Sequence, residues 1–318
     1  MGDRRLGEDW TWRQRWKNEL LFRVATAGLW AARCMSDALR RKCGQQLGRL
    51  VSWVWRAGRA QVLHRLSLAF GASAPVSVGD VFEALGQDLA DTLSLFSSSV
   101  RASDLMPLAL EGRVVLNEAL RSGRGAIFVT AHLGAIDVMA ASVAECGYRV
   151  ATLARESYDP RFTALYDELR KPRGIRSIYR GRAGAEVTIV RLLREGMLVG
   201  FPIDLVGRGM RACSVPFLRD VVPIASGPVV ISRRLGVPIV VGSPALTKSG
   251  MQVTVEPFDP SLCVGVGEAA VVEGLASVLE RRIRALPAHW LWMHRPDSSV
   301  LMGERTRDAP LPRSSFCK

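Results

Sequence analysis

The chain has 318 residues, 48% hydrophobic and 23% charged, long and apolar enough to bury a substantial core. That mixture excludes a wholly disordered, collagenous or coiled-coil protein. Its 43 Lys and Arg outnumber 30 Asp and Glu, a formal charge of +13. Such a balance fits acidic partners: nucleic acid, an anionic membrane, or an acidic carrier or substrate.

The excess is concentrated at the start. Residues 1–65 hold a net +9 and six of the eight tryptophans, Trp10, Trp12, Trp16, Trp30, Trp53 and Trp55. Cations beside indoles suit a lipid interface, where indole sits at headgroup depth. They equally suit single-stranded nucleic acid, whose bases stack on aromatic rings. Composition leaves both open. The longest run free of Asp, Glu, Lys and Arg is the 14-residue Leu66–Gly79, short of the roughly 20 residues a bilayer-spanning helix needs. Met1–Leu20 is polar and charged, without the apolar core of a secretory signal. The six cysteines form no CxxC pair and read as reduced thiols of a cytosol-facing protein.

Asn18–Arg41 is expected to be an amphipathic helix. Polar residues recur at Glu19, Arg23, Thr26, Arg33, Asp37 and Arg40, opposite Leu20, Leu21, Val24, Ala27, Gly28, Ala31 and Met35. Periodicity does not say whether the apolar side meets a membrane or the protein's own core. A second helix is expected over Gln45–Phe70 and a third over Gly79–Ser98, so residues 1–105 read as a helical N-terminal region. From Met106 strands and helices alternate. The expected strands are Gly125–Thr130, Arg149–Leu153, Arg176–Tyr179, Met197–Ile203 and Val237–Gly242, then a hairpin of Ala245–Thr247 and Gln252–Glu256. The expected helices are Ala135–Cys146, Pro160–Lys171, Ala183–Glu195, Ser226–Leu235 and Glu268–Ala285. This alternation predicts an α/β fold, a central mixed sheet flanked by helices, over residues 106–295. Residues 296–318 read as a flexible tail.

The most informative stretch is Ile127-Phe-Val-Thr-Ala-His132-Leu-Gly-Ala-Ile-Asp137. A buried strand delivers His132 at its carboxyl end, where open α/β sheets place ligands. A short glycine-containing turn then opens a helix carrying Asp137 in or near its first turns. A carboxylate there can fix the imidazole tautomer and leave the other nitrogen to take a proton. That arrangement activates an alcohol directly against a thioester. As a bare spacing, His-x4-Asp is common. Cys146 and Cys213 read as buried small residues, His64 and His289 as structural. Arg173, Arg176, Arg182, Arg208 and Arg211 read mainly as solvated loop positions. The sequence has no GxxxxGK[ST] and no GxSxG, and its four histidines pair with no cysteine at ligand spacing, so no metal is expected.

Residues 50–295 resemble the late acyltransferases of lipid A biosynthesis, the lauroyl and myristoyl transferase family, within the wider glycerolipid acyltransferase superfamily and its His-x4-Asp/Glu signature. The likeness runs through Glu111-Gly112 before a helix, Ser122-Gly-Arg-Gly-Ala-Ile-Phe-Val-Thr-Ala-His-Leu-Gly and Leu153-Ala-Arg155. It continues through Ile178-Tyr-Arg180, Leu193-Arg-Glu-Gly196, Pro202-Ile-Asp204, Val215-Pro-Phe217 and Ala225-Ser-Gly-Pro. It closes on Pro287-Ala-His-Trp-Leu-Trp-Met-His-Arg295.

The resemblance implies a glycerolipid-acyltransferase-like fold and an O-acyltransferase without a covalent enzyme intermediate. His132 would be the general base and Asp137 its orienting carboxylate. Arg155 would meet acceptor phosphate or the donor's pantetheine arm, and Arg180 and Asp204 fall in further active-site blocks. Gly134 and the N–H groups around Leu133–Ala135, at a helix start, are candidate donors to the thioester oxyanion. The expected co-substrate is an acyl carrier protein or coenzyme A thioester, with no resident cofactor. The acceptor would be a lipid hydroxyl at the cytoplasmic face of the inner membrane, reached peripherally or monotopically, with anionic lipid and no nucleic acid as partner. Asp137 stands where the lipid A branch has Glu, and Ala135 where it has Asn. A lysophospholipid, another glycolipid or an aminolipid therefore stays open as acceptor. A non-catalytic basic membrane- or RNA-binding protein is the alternative outside enzymes.

Overall fold

The structure, a computed structural model, describes residues 10–207, 209–259 and 267–293. The expected tail, with His294, Cys263, Cys317 and Arg208, lies outside them. Five helices come first: α1 (Trp12–Cys34), α2 (Asp37–Val54), α3 (Arg56–Phe70), α4 (Val78–Ser94) and the single turn α5 (Ala102–Leu105). The helix expected over Asn18–Arg41 is two helices. Ser36 leaves helical geometry (φ −64°, ψ 157°) and its side chain accepts the Leu39 N–H, starting α2 afresh. The helix expected over Gln45–Phe70 likewise breaks, at Trp55 (φ −89°, ψ 73°). The Trp55 ring there meets Phe82 edge-on at 6.2 Å, and tertiary packing overrides periodicity.

Helix α1 settles its orientation against the common pattern. It buries only Leu29 and Ala32, while Trp12, Trp16, Leu20, Val24 and Trp30 are each more than 60% exposed. Its other side is fastened to the body. Glu19 accepts from Arg161 at 2.6 Å, and Phe22 meets Phe162 edge-on at 5.7 Å. Helices α2 and α4 approach closely through glycines. A Cβ on Gly48 would lie 2.0 Å from the Phe82 carbonyl oxygen and one on Gly86 2.0 Å from that of Gly44, so larger residues would force the helices apart.

The remaining elements are α6 (Leu110–Leu120), β1 (Ala126–Thr130), α7 (Ile136–Glu145), β2 (Val150–Arg155), α8 (Pro160–Arg170), β3 (Ile175–Arg180) and α9 (Ala185–Arg194). They continue with β4 (Leu198–Pro202), β5 (Ala212–Phe217), β6 (Asp220–Ala225), α10 (Gly227–Leu235), β7 (Ile239–Thr247), β8 (Gly250–Phe258) and α11 (Glu268–Ala285). Glu111 and Gly112 lie inside α6 rather than ahead of it. The two segments Val237–Gly242 and Ala245–Thr247 merge into the single strand β7.

Six strands form one mixed sheet in the order β3-β2-β4-β1-β7-β8. All pairs are parallel except β7 with β8. Alternate residues of β1 enter different cores. Ile127 and Val129 join Leu66, Val81, Leu193 and Leu275 on one side. Ala126 and Phe128 join Leu116, Val138, Met139 and Leu169 on the other. Both faces are covered, which explains why the strand is apolar up to its last residue, Thr130. The fold is thus the expected α/β arrangement, a mixed sheet flanked by helices with a helical N-terminal region. The hairpin β5–β6 was not anticipated. Its two-residue turn puts Leu218 and Arg219 at positive φ (52° and 64°), a conformation normally signalled by Gly or Asn. Leu218 is held there by burial and by donating its N–H to Glu280.

Candidate active site

Strand pairing builds the centre. Thr130 at the end of β1 is in register with Pro202 at the end of β4, and the Ile203 N–H donates to the Thr130 carbonyl. His132 and Asp204, each two residues past its strand, therefore emerge side by side. Asp204 Oδ1 lies 2.8 Å from His132 Nδ1, and its Oδ2 accepts the His132 backbone N–H at 3.0 Å. Oδ2 also accepts the Trp290 indole N–H at 2.9 Å. A carboxylate at Nδ1 holds the ring proton there and leaves Nε2 as the basic nitrogen.

The electrostatics follow from burial and pairing. Burial opposes charge on His132, but the Asp204 charge and hydrogen bond, with Asp137 adding at longer range, carry its pKa above the ordinary value, against Arg180. Burial likewise opposes charge on Asp204. The His132 charge and hydrogen bond, with the Trp290 and backbone N–H donors, hold that carboxyl below its usual range.

Asp137, the carboxylate expected at the imidazole, bonds elsewhere. In the first turn of α7 its Oδ1 accepts from Nε of Arg170 at 2.8 Å, in an ion pair whose Nη2 also lies 2.8 Å away. The two side chains are 9% and 8% exposed. Arg170 Nη1 is buried with no hydrogen-bond partner among the described residues, and the guanidinium also lies over the Tyr166 ring. Asp204 is thus the carboxylate bonded to Nδ1, while Asp137 acts on His132 only through space.

The other expected residues line the same carboxyl edge. Arg155 and Arg180 end the paired strands β2 and β3. Arg155 is exposed and stacked on Tyr158, 4.7 Å from the ring centroid. Arg180 lies against Gly207 and Met210. Gly134 sits at φ +65°, a conformation that favours glycine, and a Cβ there would lie 2.9 Å from Pro244. Its N–H donates to the His289 carbonyl at 2.8 Å, which removes it from the oxyanion donors expected around Leu133–Ala135. Arg173 is a partly buried strut rather than a solvated loop residue, holding the carbonyls of Leu95, Ser97 and Val100.

Sequence reasoning singled out neither Arg170 nor Trp290 as a functional residue. Arg170 continues the Phe162–Tyr166–Leu169 side of α8, and a charge on an apolar stripe was the available signal. An apolar pocket lies between α7 and the sheet. Its cavity volume is about 50 Å³, and it runs from Thr130, Asp137 and Pro202 at the carboxyl edge down to Phe128, Val150 and Leu198. Ala140 and Val143 of α7 roof it. Among the described residues no three His, Cys, Asp or Glu side chains converge as a metal cage requires.

Comparison with curated proteins finds no match. The family model described as bacterial lipid A biosynthesis acyltransferase matches residues 10–296, taking in α1, the whole sheet and the segment that carries Trp290. An acyltransferase of the bacterial lipid A biosynthesis family is therefore what this chain is, by membership over nearly its whole length.

Proposed function

We propose that His132 is the general base of an O-acyl transfer from an acyl carrier protein or coenzyme A thioester to a lipid hydroxyl, the first acceptor class being a lipid A precursor-like glycolipid. The observation that carries this reading is the His132–Asp204 pair at the edge of the parallel strands, Asp204 buried and His132 partly exposed, with Nε2 left basic. Nε2 takes the hydroxyl proton as that oxygen attacks the thioester carbonyl. The tetrahedral intermediate then expels the thiolate, which recovers the proton from the imidazolium. The products are an ester and a thiol. Atoms and electrons balance without a metal or redox group, so the thioester is a co-substrate and no resident cofactor is invoked. Proton transfer of this kind supplies roughly 10²–10⁴-fold in rate, with the remainder from positioning and electrostatics.

Arg155, exposed at the same edge, would meet acceptor phosphate or the donor's pantetheine arm. The pocket under α7 has the apolar lining that an acyl chain needs, and a chain entering it would have to widen it. Ala140→Leu would fill its roof. We expect preference to move toward shorter chains, by about tenfold or more for each methylene excluded, read by competing thioesters of different length. Unchanged preference would place the chain elsewhere.

Residues 1–105 would dock the catalytic region, residues 106–295, on the cytoplasmic face of the inner membrane, where such thioesters are available. The outward stripe of α1, with Arg13, Lys17 and Arg23 near its tryptophans, suits an anionic bilayer surface. Among the described residues no helix is long and apolar enough to cross a membrane. Trp12→Ser with Trp16→Ser is expected to move the protein from the membrane to the soluble fraction of lysed cells. Retention at the membrane would assign docking to another surface.

The deciding experiment is lipid mass spectrometry of cells expressing the wild type, His132→Ala or neither. One lipid class should gain an acyl mass only with the wild type, and that mass names chain and acceptor together. A gain on a lysophospholipid or aminolipid would replace the glycolipid acceptor. Equal gains from both proteins would remove His132 from catalysis.

A further inference from the structure

The segment after α11 is stitched to both sides of His132. Downstream of the histidine, the His289 carbonyl takes the Gly134 N–H, and Leu133 forms an isolated bridge with Trp290. On the carboxylate side, Trp290 reaches across to Asp204. The indole has little freedom to do otherwise. It is 3% exposed and wedged edge-on between Phe217, at 5.9 Å, and Trp292, at 4.7 Å. Trp292 is fixed in turn, donating its indole N–H to the Pro287 carbonyl at 2.7 Å. His289 anchors the segment to α4 through Nδ1, 2.8 and 3.0 Å from the two oxygens of Asp88.

A carboxylate that bonds an imidazole through one oxygen can still rotate about its own bond to carbon. Among the described residues Asp204 has three donors, and two belong to His132 itself. The third is the only one of these that is independent of the residue being oriented. We propose that Trp290 is a positioning residue of the acyl transfer: its indole N–H pins Asp204 Oδ2 and so turns Oδ1 onto His132 Nδ1, while the Asp88–His289 pair holds the segment that carries it. This deepens the reading of His132 as the base and rests on it. A hydrogen bond to a buried carboxylate is charge-assisted and stronger than a neutral one, and the low-dielectric surroundings strengthen it further.

The test is Trp290→Phe, which keeps an aromatic ring between Phe217 and Trp292 but has no N–H. The chain has four histidines, so the His132 ring nitrogens can be followed by ¹⁵N NMR, assigned with His132→Gln, without any substrate. The charged and titratable groups that act on the ring are Asp204, Asp137 and Arg180. With Asp204 loosened, burial and Arg180 gain weight. The ring should then titrate lower, by about one pH unit, the shift one hydrogen bond produces. In turnover of an acyl thioester, kcat should fall about tenfold on the same basis, with KM unchanged.

Trp292→Phe separates position from packing. It removes an N–H bonded to Pro287 and should lower the thermal midpoint while leaving the His132 titration in place. A Trp290→Phe protein with a wild-type His132 titration, stable or not, overturns the proposal. So does a Trp292→Phe protein that shifts the titration equally. If the wild type transfers no acyl group, the function reading fails, and the NMR comparison still decides whether Trp290 positions Asp204.

Discussion

Asp204→Asn is expected to lower turnover by about three to four orders of magnitude, as loss of the tautomer-fixing carboxylate does in other His-based catalysts. The amide is nearly the same size, and its oxygen can still accept the His132 backbone N–H. What it cannot do is hold a proton on Nδ1 by charge. An amide N–H facing Nδ1 favours the tautomer protonated on Nε2, and that nitrogen then has no lone pair for the acceptor hydroxyl. The pH profile carries a second signature. His132 must be neutral to act, and its pKa is raised above 6.5, so wild-type activity should fall as pH drops through a value above that. Without the Asp204 charge, the limb should move to lower pH while the plateau falls. Asp137→Asn takes only a longer-range charge from His132 and should move the limb less, although it also leaves the buried Arg170 without its counter-charge and should lower stability. Thiol release from an acyl thioester, measured across pH, reads both variants. If Asp137→Asn protein that is still folded has no turnover and Asp204→Asn keeps it, the carboxylate at Nδ1 is not the one that matters.

Why the sequence points to one carboxylate and the structure to another is a matter of range. The His-x4-Asp spacing is local and can be read along the chain. The pairing with Asp204 spans 72 positions and exists because β1 and β4 are parallel neighbours with their ends in register. Local pattern identifies both segments as strands ending at the same sheet edge. It contains nothing that says which strands are adjacent. That His132, Asp137, Arg155, Arg180 and Asp204 fall at one sheet edge was legible for this reason, and their pairwise contacts were not.

The N-terminal region shows the same limit in another form. A helix period divides residues into two faces but does not say which faces inward. On α1 most of the apolar face is outward, and the inward contacts include, beside the buried Leu29 and Ala32, an ion pair to Arg161 and an aromatic edge to Phe162. The break before α2 was readable as a Ser-Asp helix start, whereas the break at Trp55 was not. Trp290 is harder still. An indole past the last helix reads as core, and only its donor bond to a buried carboxylate separates it from core.

Arg170→Met should destabilise the protein by about 3–5 kcal/mol, because it leaves the Asp137 carboxylate buried without its partner. For a chain of this size the thermal midpoint should fall on the order of 10 °C. The pair is 8% and 9% exposed, so solvent screening does little to soften the loss. The double variant Arg170→Met with Asp137→Leu removes both charges and should recover most of that stability, since a buried ion pair is often no more stabilising than apolar groups of similar volume. Turnover of the double variant then separates two roles. If His132 and Asp204 suffice as the dyad, the refastened protein keeps activity within about tenfold, a bound set by the loss of one through-space charge. If instead stability returns and turnover does not, the ion pair acts on the substrate at the edge of the α7 pocket, where Arg170 Nη1 has its unmet donor. A single variant cannot tell these apart, because its inactivity would follow from unfolding alone.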